Sequence, residues 1–265
     1  MISRIFILLT LLVLPAGCAT VPITGRSQLN LIPASTMMSM SAQEYGTFIK
    51  GNKPSANKEQ VQMVKRVGAR IQGAVERYFA ERGMAGKLAD YRWEFNLVED
   101  NQVNAWCMPG GKVVVYTGML PVSQNEDGLA VVMGHEIAHA IAEHGNERMS
   151  QGMLAQLGGV ALAEALASKP AATKQLWMTA FGAGAQYGAI LPFSRLQENE
   201  ADHLGLVFMA MAGYDPNQAT AFWQRMASQK GGKSQPEFFS THPADATRIE
   251  NIRRLIPEVN RQYPR

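Results

Sequence analysis

Val64, Val67, Ile71, Val75 and Tyr78 recur at three- and four-residue steps, which predicts an amphipathic helix from about Asn57 to Gly83. Strand-like alternation follows in "YRWEFNLVED", with Trp93, Phe95 and Leu97 on one side. "VNAWCMPGGKVVVYTGML" reads as two extended runs around a Pro-Gly-Gly turn, which predicts a hairpin. A helix is predicted from near Glu126 through "DGLAVVMGHEIAHAIAEHG" to Gly145. Two apolar segments, Met153 to Ser168 and Ala172 to Ile190, are rich in Ala, Gly, Met and Leu. Their glycines, and Lys169, Pro170 and Lys174 between them, predict buried or lid-forming helices rather than membrane spans. Helical patterns resume at Ser194 to Ala212, Pro216 to Gln229 and Pro243 to Ile256. The order implies an α+β fold, mostly helical, with a small antiparallel sheet beside the helix at 126–145, and no solenoid period.

The first residues follow another rule. "MISRIFILLTLLVLPAGC" carries Arg4, an apolar run from Ile5 to Leu14, and small residues before Cys18. That run is too short to span a bilayer and has the flanks of a secretory signal. "LPAGC" resembles the lipobox of bacterial lipoproteins, which implies acylation of Cys18. Ala19 in place of Asp after that cysteine implies the outer membrane. Residues 19–56, with Pro22, Gly25, Pro33, Gly51 and Pro54, predict a tether holding one short helix from Ser35 to Lys50. The expected plan is a signal peptide at 1–17, a lipidated tether at 18–56 and one domain at 57–265.

Composition adds exclusions. The 265 residues are 46% hydrophobic and 18% charged, enough for a core without disulfides. The net charge of +3 is small and its cations are scattered, so nucleic acid is not an expected partner. Apart from Cys18 there is only Cys107, in an apolar run, which predicts a buried inert thiol and no disulfide.

"HEIAH", residues 135–139, fits the H-E-x-x-H template. On a helix, His135 and His139 lie one turn apart on one face and can grip one tetrahedral zinc. Glu136, one residue on, reaches a metal-bound water without ligating the metal, and takes its proton as it attacks a carbonyl. A catalytic zinc also needs a third protein ligand and an open fourth position. Ala142 and Gly145 exclude the metzincin extension, and His144 is expected on the helix surface.

The third ligand is expected in "SRLQENEADHLGL", residues 194–206. Ser194 and Gln197 have capping-box spacing, consistent with a helix starting there. Glu198 and Asp202 then share a face. Glu200 is about 200° and His203 about 140° round the helix from Glu198, which predicts surface or inter-helix roles for both. Glu198 is the expected ligand, and Asp202 either orients a zinc histidine or donates a proton.

With these motifs, the chain resembles the zinc peptidase family that includes HtpX, the CAAX prenyl protease and the mitochondrial Oma-type protease. "SRLQENEAD", "THPADATRI" at 241–249, "VPITGRSQLNLIP" at 21–33 and "NAWCMPGGKVVVYTGML" are similar to its bacterial lipoprotein branch, which includes LoiP and the BepA protease core. The resemblance implies a zincin-like, gluzincin-type domain with one Zn2+ per chain on His135, His139 and Glu198. It implies Glu136 as base, Asp202 as proton donor and His242 near the metal, steadying an oxyanion or capping a latent site. Arg248 is expected to pair with a site carboxylate. It further implies a periplasm-facing outer-membrane endopeptidase that removes unfolded or misassembled envelope proteins, bound as a strand along Asn104 to Met108. Two alternatives stay open: a non-proteolytic chaperone or assembly factor with a latent or structural zinc, and an intramembrane protease.

Overall fold

The computed structural model describes residues 18–186, 191–229, 238, 242 and 246–264. The expected signal segment, the start of the last helix at Pro243 and the end of the second apolar helix at 187–190 lie outside the described residues. The chain runs β1 (Cys18–Thr20), β2 (Ser27–Leu29), α1 (Ala34–Gly51), α2 (Lys58–Glu81), β3 (Glu94–Val98), β4 (Ala105–Met108), β5 (Lys112–Tyr116) and α3 (Glu126–Ile141). There follow α4 (His144–Ala165), α5 (Ala171–Ala185), α6 (Leu191–Met211), α7 (Gln218–Ser228) and α8 (Ala246–Gln262), with short helical turns between α2 and β3 and between β5 and α3. Contacts divide the chain into two compact units, Met1–Thr36 with Glu143–Gln197, and Met37–Ala142 with Glu198–Arg265.

In the larger unit, the Asn57 side chain caps α2 by accepting from Gln60 N at 3.1 Å. The stripe Val64, Val67, Ile71, Val75 and Tyr78 is buried, as the periodicity predicts. Gly68 lies in that stripe because a Cβ there would come within 2.2 Å of the Phe95 ring on β3. The sheet order is β3-β5-β4. β4 and β5 form the predicted antiparallel hairpin, turning at Gly110 and Gly111, whose φ values of +85° and +81° favour glycine. β3 pairs parallel to β5, so the sheet is mixed. Val113, Val114 and Val115 are buried at its centre, while β4 pairs with β5 alone among the described strands.

α3 begins at Asn125, whose side chain accepts from Gly128 N at 2.9 Å, with Glu126 and Asp127 in its first turn. Every residue from Gly128 to Ile141 is buried, so this is a central helix rather than a surface one. It ends at Ile141, short of the predicted Gly145, because Glu143 takes a left-handed φ of 57° and α4 starts afresh at His144. His144 is therefore buried, not on a helix surface: the break at Glu143 removes the regular rotation on which that expectation rested.

α6 has begun by Leu191, with Pro192 in its first turn, where the missing N–H costs nothing. Ser194 and Gln197 are thus inside the helix and do not form the expected cap. The last helix continues past Ile256 through Pro257, and Ile252, Ile256 and Val259 keep its buried stripe unbroken.

The smaller unit departs furthest from expectation. Residues 18–32, read as a loose tether, form the antiparallel β1–β2 pair and a strap along α4. Arg26 donates to both Glu147 oxygens at 2.7 Å, and Gln197 Nε2 donates to Glu147 Oε2 at 2.7 Å. Leu31 N donates to Ser150 Oγ at 2.8 Å, and Asn146 Nδ2 to Ile32 O at 2.8 Å. Glu147, Ser150 and Gln197 are buried, so this clamp is a satisfied polar core. Beyond it, α4 and α5 pair as a hairpin through Gly158, on which the Phe181 ring rests. These two helices were predicted to be buried or lid-forming, yet much of their apolar surface is exposed.

Candidate metal centre

Two helices approach each other backbone to backbone to build the centre. A Cβ on Gly205 of α6 would lie 3.0 Å from His135 N, and one on Gly134 of α3 would lie 3.1 Å from Gly205 O. From that crossing, His135 faces Asp202 and His139 faces Glu198, one turn further along each helix. The contact pairs follow: His135 Nδ1 to Asp202 Oδ1 at 3.0 Å, and His139 Nε2 to Glu198 Oε1 at 3.2 Å. Side chains larger than hydrogen at 134 and 205 would hold the helices apart and separate the donors.

His135 Nε2 and His139 Nε2 are 3.1 Å apart, and His135 Nε2 is 3.3 Å from Glu198 Oε2. The His242 Nδ1 completes the group, 3.0 Å from Glu198 Oε2 and 3.3 Å from His135 Nε2. These spacings suit a metal. Donors about 2.0–2.1 Å from a tetrahedral zinc stand about 3.3–3.4 Å from one another. His135, His139, Glu198 and His242 each offer an atom within 4.8 Å of the others'.

Charge makes the same case. Burial alone would raise the Glu198 carboxyl, but the charges of His139 and His242 and hydrogen bonds from both helix histidines hold it well below the usual range. Burial also opposes ionisation of Asp202, and Arg248 overcomes it, holding that carboxyl low. Burial and the Arg248 charge push the His135 imidazole down, but hydrogen bonds to Asp202 and Glu198 prevail and raise it. The field that favours a proton on His135 favours a metal cation equally. Glu136, Glu198 and Asp202 are all buried, and Arg248 pairs with Glu198 and Asp202. Among these four described groups the formal excess of two negative charges matches a dication.

Around the donors, Arg248 of α8 grips Asp202 in a fork, Nε to Oδ2 at 2.7 Å and a terminal nitrogen to Oδ1 at 2.8 Å. Its other terminal nitrogen lies 3.0 Å from Glu198 Oε2, and its plane stacks 3.6 Å over Trp223 of α7. Asp202 in turn accepts from His135 Nδ1–H, which leaves Nε2 as the donor toward the centre. Glu136 does not join the four donors; its Oε1 is 3.5 Å from His242 Nε2.

Every residue singled out by sequence for the metal is therefore in one place. Glu200 is buried, which excludes its surface alternative and leaves inter-helix bonding, and His203 is part-buried away from the donors. Trp223 and Phe238, whose ring lies 4.5 Å from that of His242, escaped sequence reasoning. The available signal for Trp223 was a large aromatic in the apolar stripe of α7, which looks the same as core packing. Cys107 on β4 is a free, part-buried thiol, and desolvation, then the charge of Glu136, pushes it well above the usual range, which disfavours the reactive thiolate.

Comparison with known proteins places this geometry. The family model of Peptidase family M48 matches residues 65–256, well over half of the chain. The chain is 38% identical over 191 residues to the mitochondrial metalloendopeptidase OMA1 of Schizosaccharomyces pombe, covering 71% of this chain and 53% of that protein. It is 31% identical over 243 residues to the human metalloendopeptidase OMA1, covering 90% and 46%. It is 35% identical over 167 residues to the beta-barrel assembly-enhancing protease of Yersinia pestis, covering 61% and 34%. The chain thus spans about half the length of the first of these relatives, and less of the last. The matched region contains the crossing helices, all four donors and Arg248, and the chain belongs to Peptidase family M48.

Proposed function

We propose that this chain is a zinc-dependent endopeptidase that hydrolyses peptide bonds of polypeptides bound along β4. The observation that carries the reading is the four-donor group, whose neighbouring donor atoms stand 3.0–3.3 Å apart, with the Glu136 carboxylate buried beside it and outside the ligand set. When bound, zinc supplies Lewis acidity, bringing the pKa of a water toward neutrality and polarising a carbonyl. Glu136 takes a proton from the attacking water and returns it to the departing amine nitrogen. Of the two roles open to Asp202, its placement favours positioning: it is held by Arg248 and fixes the His135 tautomer.

His242 occupies the fourth corner, the position substrate needs. Its ring must leave that corner for a carbonyl to enter, and from there its N–H reaches a developing oxyanion. The edge of β4 that no described strand pairs, beside α3, suits an extended peptide that adds a strand, fixing the main chain with loose demand on sequence.

The "LPAGC" motif supports a chain acylated at Cys18 and held at the outer membrane facing the periplasm. That location, together with a relative named for β-barrel assembly, supports unfolded or misassembled envelope proteins as substrates. The test is metal analysis of the purified chain with a chelator-sensitive casein digestion. One bound zinc, and a Glu136→Gln variant that keeps the metal and loses about 10²–10⁴-fold in rate, are expected. Undiminished digestion by Glu136→Gln would overturn the reading in favour of a latent or structural zinc.

A further inference from the structure

Trp223 carries no charge and offers no metal donor, yet it touches the metal centre on two sides. Ala219, Phe222, Trp223 and Met226 form the buried stripe of α7, at the three- and four-residue steps of an ordinary core-facing helix. Packing alone accounts for that stripe but not for what the Trp223 ring meets. The Arg248 guanidinium lies 3.6 Å over its face, and the His135 ring stands 5.3 Å away, centre to centre, at 76°. Arg248 and His135 are themselves joined through Asp202, whose Oδ2 accepts from Arg248 Nε at 2.7 Å and whose Oδ1 is 3.0 Å from His135 Nδ1. The four side chains thus close a circuit, from Trp223 to Arg248, Asp202, His135 and back to Trp223. A small cavity adjoins it, lined by Trp223, His135, Asp202, Gly205, Val131 and Ile252, so core packing does not wedge the ring on every side.

Each of these ring contacts restrains a motion that the polar contacts leave open. The fork on Asp202 and the 3.0 Å contact with Glu198 fix Arg248 within its own plane. Hydrogen bonds in that plane resist tilting out of it only weakly. The aromatic face beneath supplies the missing restraint and attracts the cation, the more so because both groups are buried. His135 has the same gap. Its Nδ1 bond to Asp202 sets the tautomer, while rotation about that bond would swing Nε2 away from the other donors. The Trp223 ring blocks that rotation from one side. Because Arg248 touches both Asp202 and Glu198, a tilted guanidinium would disturb one metal donor and the residue that orients another.

We infer that Trp223 is a positioning residue of the metal centre, holding the planes of Arg248 and His135 so that His135 and Glu198 meet His139 at one zinc. This role rests on the zinc dependence proposed above. Its test sets zinc affinity, from competition with a chromophoric chelator, beside the urea midpoint of the metal-free chain. Trp223→Leu should weaken zinc binding about tenfold, and Trp223→Phe, which keeps a flat face under Arg248, should recover most of that loss. Met226→Ala, on the same buried stripe, should lower the urea midpoint and leave zinc affinity within about twofold. Zinc should also change the tryptophan emission of the unaltered chain, since a dication held by His135 arrives beside the indole. Trp223 is one of four tryptophans, and Trp223→Phe should remove most of that change. This signal keeps the test open even if Trp223→Leu does not fold. Unchanged zinc affinity in Trp223→Leu would overturn the proposal. So would an equal loss of zinc affinity in Met226→Ala, which reduces Trp223 to core packing, or a zinc-induced emission change that persists undiminished in Trp223→Phe. A chain that binds no zinc would overturn the proposed zinc dependence as well, whereas those three outcomes leave it intact.

Discussion

The metal centre and the α4–α5 hairpin invert the usual distribution of side chains. The centre buries Glu136, Glu198, Asp202 and Arg248, while the hairpin exposes Leu157, Val160, Leu176 and Trp177. Buried charge survives only where every group is paired, so the centre must be rigid and mutually dependent. Exposed apolar groups demand no partner within the chain, so the hairpin tolerates change. Folding stability should therefore be concentrated in the centre and nearly absent from the hairpin.

The sharpest way to break this comparison is Arg248→Met. It removes the fork on Asp202 and the contact with Glu198, leaving buried carboxylates without their guanidinium. A loss of about 3–5 kcal/mol is expected in urea unfolding of the metal-loaded chain. A loss below about 1 kcal/mol, typical of an exposed pair, would show that the centre is far wetter than its burial implies.

Paired truncations sharpen the contrast. Leu129 is fully buried on α3, and Leu129→Ala should cost about 2–5 kcal/mol. The same change at Leu157 should stay within about 0.5 kcal/mol. Comparable costs at the two sites would mean that Leu157 is covered within the chain. Gly205→Val tests the helix crossing at a smaller expected scale, about 1–3 kcal/mol, since its Cβ would meet the α3 backbone rather than a flexible side chain. Zinc stoichiometry should fall with it, because the crossing sets the spacing between Glu198 and the histidines.

The centre was more legible in the sequence than the hairpin, for a physical reason. The positions of His135, His139, Glu198 and Asp202 depend on helical rotation, a local rule, and α6 starts early enough for that rule to hold. The same rule failed at His144, where a left-handed Glu143 breaks the helix without a glycine to signal it. It gave no access to the Arg26–Glu147 clamp, which joins residues 121 apart in the chain. Nor did it reveal the parallel pairing of β3 with β5 across the intervening β4. Trp223 beneath Arg248 illustrates the remaining limit: an aromatic at core spacing reads as core whether or not it also supports a cation. On α4 and α5, apolar composition pointed to two helices but missed that the first begins at His144, and it could not say what lies against them.

The smallest effect tests the border of the centre. His203 is on α6 with the site residues but part-buried and apart from the donors. Burial pushes its imidazole below the ordinary value of 6.5, and the charge of Glu258 only partly opposes this. The fold thus favours the neutral ring, whereas the unfolded chain takes up a proton at about 6.5. Its contribution to stability is present in full above that pH and is lost as pH falls from there through the lower folded value. His203→Gln should flatten the stability profile below about pH 6.5 while leaving it unchanged near pH 8, read from urea midpoints across that range. A profile that keeps its slope in His203→Gln would assign the acid sensitivity to other groups and confine the energetic boundary of the centre to residues that touch its donors.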